Sequence, residues 1–308
     1  MTLPTGQPAS LLRRIFISAD EPRLRTGWRL ALHATMIVAL TIPVSLFAAV
    51  VILILGLWVP DAGTLSLWIG ALASAVVFVL ATWVARRVLD RRSFVSLGFA
   101  LDRHTLPDLV AGFLIPFPML GLVFGIATAF GWMQWGSWAW ESQSAASVVL
   151  GMAGGLSLFV LVGVSEEVLS RGYHLQNLTE SMGWIGAWLL SSLIFAGLHV
   201  FNPGFSLQAG LGLVLAGLFL ATGWLRTGRL WLSIGLHIGW NFFEGTVFGF
   251  AVSGLDLFRL MDHRIEGPSW ATGGTFGPEA GAIVYPGLVL GTLLIALYTR
   301  NRSRSGSP

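Results

Sequence analysis

The feature that most restricts how this chain folds is a series of apolar stretches long enough to cross a bilayer. A hydrocarbon layer about 30 Å thick needs roughly 20 apolar residues in a helix rising 1.5 Å each. Such stretches lie at residues 29–58, 65–86, 108–130, 147–175, 184–201, 206–226, 230–252 and 280–299. In lipid no water satisfies a backbone N–H or C=O, so a spanning segment bonds to itself as a helix. The sequence therefore predicts an all-α, polytopic membrane protein with eight transmembrane helices. Composition agrees, with 55% of residues hydrophobic and 11% charged, against about 25% charged in soluble domains. Mean hydropathy is +0.75.

Arginine placement sets the orientation. Arg13, Arg14, Arg23 and Arg25 precede the first stretch, and Arg86, Arg87, Arg91, Arg92 and Arg103 follow the second. Arg226 and Arg229 separate the sixth and seventh, and Arg300, Arg302 and Arg304 follow the eighth. The positive-inside rule makes these regions cytoplasmic, so both termini are expected there. The alternate connections 59–64, 131–146 and 202–205 contain no Arg, and in 253–279 Arg259 and Arg264 are offset by acids. This reading gives an N-terminal cytoplasmic or interfacial segment at 1–28 and one transmembrane domain at 29–299. A disordered cytoplasmic tail follows at 300–308. No short apolar stretch with a small-residue cleavage site opens the chain, so the first long segment is expected to serve as an uncleaved insertion signal in the cell membrane.

The net charge of +3 does not indicate nucleic acid, because the arginines sit at the ends of apolar segments. All 18 basic residues other than His are Arg. With no cysteine, disulfides, thiolate metal sites and cysteine nucleophiles are excluded. Trp132, Trp135, Trp138 and Trp140 read as interfacial anchors, and 87–107 as a cytoplasmic interfacial helix or loop. His33, near the start of the first span, reads as interfacial.

Once groups at the ends of the apolar segments are set aside, few ionisable residues remain inside them. They are Glu166, Glu167 and Arg171 on the fourth, His199 on the fifth, and His237 and Glu244 on the seventh, joined by the neutral Asn241. A charged side chain at the centre of a spanning helix costs about 2.5–3.5 kcal/mol on an insertion scale, so such residues mark function. Glu167 and Arg171 are one helical turn apart and can pair, whereas Glu166 is rotated by about 100° and lacks that partner. Phe195 and His199 share a face, as do His237 and Asn241. Packing does not require this combination.

Three motifs carry a resemblance: Glu166-Glu167-Val-Leu-Ser-Arg171, Phe195-Ala-Gly-Leu-His199 and His237-Ile-Gly-Trp-Asn241. Intact and in this order, they resemble the intramembrane CAAX-protease and bacteriocin-processing (CPBP or Abi) family, within a motif core at 147–252. The resemblance implies an endopeptidase on an eight-helix core, acting on a lipidated or membrane-associated peptide or protein from a site open to the cytoplasm. It implies that Glu166 activates water with help from His199, and that His237 and Asn241 complete the site as metal ligand or oxyanion donors. Glu167 with Arg171 would hold the motif helix. A metal-assisted version places Zn²⁺ on Glu166, His199 and His237; a metal-free version makes Glu166 the general base. The motifs leave Glu244 unexplained. A non-catalytic immunity or scaffold protein, and an ion- or proton-coupled transporter, are the alternatives.

Overall fold

A computed structural model describes residues 11–18, 21–58 and 61–302. The first ten residues, and 303–308 of the expected tail, lie outside the described residues. A short α1 (Leu11–Phe16) precedes two long helices, α2 (Thr26–Leu55) and α3 (Ala62–Val88), which pack along each other. The stretch at 108–130 folds as α4 (Thr105–Leu114) and α5 (Pro116–Ala129). Pro116 lacks an N–H and occupies the first position of α5, where that donor has no intrahelical acceptor. The strand β1 (Met133–Trp138) and α6 (Ala139–Ser142) then lead to α7 (Ala145–Glu167), whose start is capped by Ser144 Oγ accepting from Ser147 N at 3.1 Å.

The run does not stop at Glu167. It widens into a π-helical stretch, π1 (Val168–His174), and continues as α8 (Leu175–Gly197). It bends at Gly183, whose φ of 74° and ψ of 172° are open to glycine and strained for other residues. α9 (Leu207–Thr227) and α10 (Leu230–Asn241) follow, and α10 also widens into a π stretch, π2 (Phe242–Val247). The strand β2 (Met261–Ile265) pairs antiparallel with β1, Trp135 opposite His263. α11 (Ser269–Thr272) and α12 (Val284–Thr299) complete the fold.

The molecule is predominantly helical. Among the described residues five helical runs are long and apolar enough to cross a membrane: Thr26–Leu55, Gly63–Val88, Thr105–Ala129, Ala145–Gly197 and Leu207–Thr227, with Val284–Thr299 a shorter apolar helix. Five differs from eight for local reasons. The stretches 147–175 and 184–201 are fused through π1, 230–252 is divided between α10 and π2, and α12 has only 16 residues.

α10 is the central helix, buried along nearly its whole length between α4, α7 and α9. Small residues let its backbone approach α4 closely: a Cβ on Gly235 would lie 2.3 Å from the Leu109 carbonyl oxygen, and one on Gly239 2.1 Å from that of Phe113. α2 turns Val38, Ile42, Leu46 and Leu53 outward as a lipid-facing surface. His33 departs from its expected interfacial position. It is fully buried, its Nε2 3.2 Å from Thr82 Oγ1 and its ring 4.1 Å from that of Tyr173, because α2 packs this turn against α3 and π1.

The arginine-rich segments gather at one end. Asp90 accepts from Arg29 at 2.7 Å and from Arg86 at 2.9 Å, while Glu180, beside the bend, accepts from Arg23 at 3.0 Å and Arg92 at 2.7 Å. Arg229 pairs with Asp102, and Arg302 with the buried Asp108. The β1–β2 ribbon and the 198–206 and 251–281 loops form the opposite end, where Trp138 and Trp140 stack at 4.4 Å.

Candidate active site

Bending at Gly183 brings the first two motifs together. Glu166 and His199 lie at nearly equal chain distances on either side of it, so each is carried back by an arm of roughly 25 Å at 1.5 Å per residue. α10 then inserts His237 between the arms.

One carboxylate organises the cluster. Glu167 Oε1 accepts from Arg171 Nη1 at 2.6 Å and from His237 Nδ1 at 2.8 Å. The second arm of the Arg171 guanidinium donates to the Gly217 carbonyl at 2.8 Å, and its flat face lies 4.5 Å from the Phe195 ring centroid. Phe195 also packs against both imidazoles, with centroids at 4.9 Å for His199 and 5.9 Å for His237. Its carbonyl lies 2.9 Å from His199 Nδ1.

These contacts fix both tautomers. A carbonyl accepts only, and so does a carboxylate paired with arginine, so each Nδ1 carries a proton and, in the neutral imidazole, Nε2 keeps the lone pair. Both Nε2 atoms face Glu166 Oε2, at 3.8 Å in each case. That oxygen is buried and has no hydrogen-bond partner among the described residues. Glu166 and His199 stay partly open, at 18% and 12% side-chain exposure, while Glu167 and Arg171 are sealed. The three groups edge a cavity of about 240 Å³, whose wall also includes Asn241, one turn beyond His237.

Glu166, Glu167, Arg171, His199, His237 and Asn241 are thus brought into one neighbourhood. Glu244 is not part of the cavity wall. It is wholly buried behind Trp240, whose indole N–H donates to its Oε2 at 2.8 Å. Sequence reasoning missed the opposite wall. Glu279 Oε1 also accepts from Trp240 Nε1, at 3.2 Å, and its Oε2 accepts from Ser253 N at 3.1 Å and Ser253 Oγ at 2.5 Å. Asn202 donates to the Ser253 carbonyl at 3.0 Å, and this clamp holds Ser253 at a φ of 47°. The only signal was an acid, Glu279, placed immediately before the last apolar stretch.

Two imidazole lone pairs and a carboxylate are the donor types zinc takes, and each imidazole is oriented from behind as metal-ligating histidines are. Their spacing is wider than zinc sets. Bond lengths of about 2.0–2.1 Å at a tetrahedral ion put neighbouring ligand atoms about 3.3 Å apart, against 3.8 Å here. Among the described residues no group of three or more His, Asp or Glu side chains is arranged as a ready ligand set.

Residues 147–243 match the family model described as "Type II CAAX prenyl endopeptidase Rce1-like". The matched stretch runs from α7 into π2 and contains all six residues named above. It is consistent with a CAAX-type intramembrane protease. Searches among curated proteins and among solved structures found no match.

Proposed function

Taking that match as the premise, we propose that the protein is an intramembrane endopeptidase that hydrolyses a peptide bond near the C-terminus of a lipidated or otherwise membrane-associated protein or peptide. The observation that carries this reading is the convergence of Glu166 Oε2 on two imidazole lone pairs, 3.8 Å from each, beside a cavity. The chain is read as eight spans in the cell membrane with its arginine-rich end cytoplasmic.

A water seated between these groups gives one proton to Glu166 while its oxygen attacks the scissile carbonyl carbon. His199 Nε2 accepts a hydrogen bond from the second water O–H and orients the attack, and that hydrogen stays on the attacking oxygen. The Asn241 amide donates to the developing oxyanion, a contribution worth about 2.7–4 kcal/mol for one donor in a dry site. Collapse breaks the C–N bond, and the proton held by Glu166 passes to the leaving amine. Glu167 and Arg171 touch no substrate and act as positioning residues, holding His237 in one tautomer and orientation. A second reading places Zn²⁺ on Glu166, His199 and His237, where it would polarise the carbonyl and acidify a bound water. The paired orientation of the Nε2 lone pairs favours it; the spacing favours water.

The test is cleavage of a fluorogenic lipidated peptide by the purified protein in detergent. Glu166→Gln and His199→Ala are expected to lower turnover at least about 100-fold with the thermal midpoint unchanged. Normal turnover in both variants would sink the proteolytic reading.

A further inference from the structure

The backbone before α2 is held against the start of that helix. Ser18 N donates to the Arg23 carbonyl at 2.8 Å and Arg25 N to the Phe16 carbonyl at 2.9 Å. Beside this turn, at the arginine-rich end, lies a second cavity of about 650 Å³. Its charged lining is Arg23, Arg25, Arg29 and Arg92 with Glu21 and Glu180.

Cations outnumber anions here. Glu180 is shared by Arg23, Arg29 and Arg92, and Glu21 by Arg23 and Arg92. Asp90, buried behind them, is divided between Arg29 and Arg86. Arg25 pairs with no carboxylate among the described residues, and its Nε donates to the Ile17 carbonyl at 3.2 Å. Five guanidiniums therefore meet three carboxylates. Donors are in excess as well: Arg23 Nη1 and Arg29 Nε, on side chains more than nine-tenths buried, have no hydrogen-bond partner among the described residues.

The backbone adds to the same sign. α2 runs for 30 residues, and its first two, Thr26 and Gly27, line the cavity. The N-cap residue is Arg25, whose side chain makes no capping bond, and no acid stands in the first turn. The positive end of the helix dipole and its unbonded N–H groups are thus left to this space. The cavity opens on a polar phase, since the Arg92 and Glu21 side chains are 38% and 45% exposed and hydrocarbon does not accept such charges. Apolar surface adjoins it. Phe16 packs on Trp28 with centroids 4.9 Å apart, and Trp28, Leu11 and Ile15 are exposed at the α1–α2 corner.

We propose that this cavity binds the phosphate of an anionic membrane lipid, held by Arg23, Arg25, Arg29, Arg92 and the start of α2, with its acyl chains along the α1–α2 corner. Phosphate oxygens supply the missing acceptors and negative charge, take paired bonds from guanidinium, and suit a helix N-terminus. The apolar corner favours a lipid over the free ion. Glu180 does not oppose binding, because three guanidiniums already cover its carboxylate. Anionic lipid is abundant in the cytoplasmic leaflet, where the arginine-rich end is read to lie.

The full chain, stripped of lipid by exhaustive exchange into an uncharged detergent, is titrated at fixed ionic strength with dioctanoyl phosphatidylglycerol, dioctanoyl phosphatidylcholine or inorganic phosphate. Thermal midpoint and lipids bound by native mass spectrometry are followed. Phosphatidylglycerol is expected to bind saturably, raise the midpoint, and act at concentrations at least about tenfold below the other two. Arg25 is exposed and outside every ion pair above, so its variants should fold. Arg25→Gln is expected to weaken phosphatidylglycerol binding about tenfold, and Arg25→Lys, which keeps the charge, by no more than about threefold. Arg87→Gln, exposed at the same end and outside the cavity wall, is the control and should change it less than about twofold. Equal losses in Arg25→Gln and Arg87→Gln would mark diffuse surface attraction and overturn the site. Inorganic phosphate acting at the same concentration as phosphatidylglycerol overturns the lipid assignment, and absence of saturable binding overturns both. The readouts need no cleavage, so they stand apart from the proteolytic reading.

Discussion

His237 Nδ1 donates to Glu167 Oε1 across 2.8 Å, joining residues 70 positions apart. The same oxygen accepts from Arg171, so one carboxylate both neutralises a buried cation and dictates which imidazole nitrogen faces the cavity. Glu167→Gln removes both effects. Breaking a buried pair costs about 3–5 kcal/mol because the remaining charge stays unpaired. Thermal unfolding in detergent is expected to show a large drop in midpoint together with loss of cleavage. Arg171→Lys keeps the charge and loses the fork that reaches the Gly217 carbonyl, so it should recover only part of the stability.

Chelation separates the two hydrolytic readings. Because 3.8 Å is about half an ångström too wide for neighbouring zinc ligands, cleavage is expected to survive a strong chelator, and purified protein to carry no stoichiometric metal by elemental analysis. Loss of activity under chelation, restored by Zn²⁺ alone, would instead assign Glu166, His199 and His237 as ligands.

The crossing of α10 over α4 tolerates no added methyl. In Gly239→Ala the new Cβ would lie 2.1 Å from the Phe113 carbonyl oxygen, backbone that cannot swing aside. Overpacking of this kind costs about 1–3 kcal/mol. Because Gly239 sits between His237 and Asn241, the variant should lose turnover as well as thermal stability. Gly125→Ala, where a Cβ meets nothing within 4 Å, is the control and should shift stability by less than about 0.5 kcal/mol.

Acid should loosen the β1–β2 end first. Burial pushes the His263 imidazole below its ordinary value, and its Nε2 donates to the Phe248 carbonyl at 2.7 Å. The unfolded chain takes up a proton near pH 6.5 while the folded site resists, so this contribution is present above about pH 6.5 and declines as pH falls below it. Asp102 acts lower. The hydrogen bond from Arg229 holds its carboxyl down at about 2, so its contribution is present above about pH 4 and is lost as pH falls toward 2. Thermal midpoints against pH should show the first decline in the parent protein and not in His263→Gln.

The helical stretches and the three motifs were legible because each rests on local signals: apolar length, charge placement and i, i+4 spacing. What the sequence could not supply came from tertiary contact. Glu279 looks like a solvated loop acid until Ser253 and Trp240 are seen to bond it. Glu244 looks like a spare carboxylate on the His237 face until Trp240 claims it from behind. His33 sits near a helix start in the chain, and only packing against Thr82 and Tyr173 reveals it as core. The π stretches have no compositional mark, since nothing in Val-Leu-Ser-Arg-Gly-Tyr-His at 168–174 distinguishes a widened turn from an α-helical one.

That stretch decides how the site answers to chain length. A π turn accommodates an extra residue without breaking the helix, and deleting one residue between Val168 and His174 would restore α geometry. The helix beyond it would then keep its facing, because the widened turn had already absorbed that residue, whereas a deletion in the α-helical part between His174 and the Gly183 elbow would rotate His199 by about 100° about the helix axis and away from Glu166. The widened turn is therefore where this helix can gain or lose a residue without moving the site, provided Arg171 keeps its reach to Glu167.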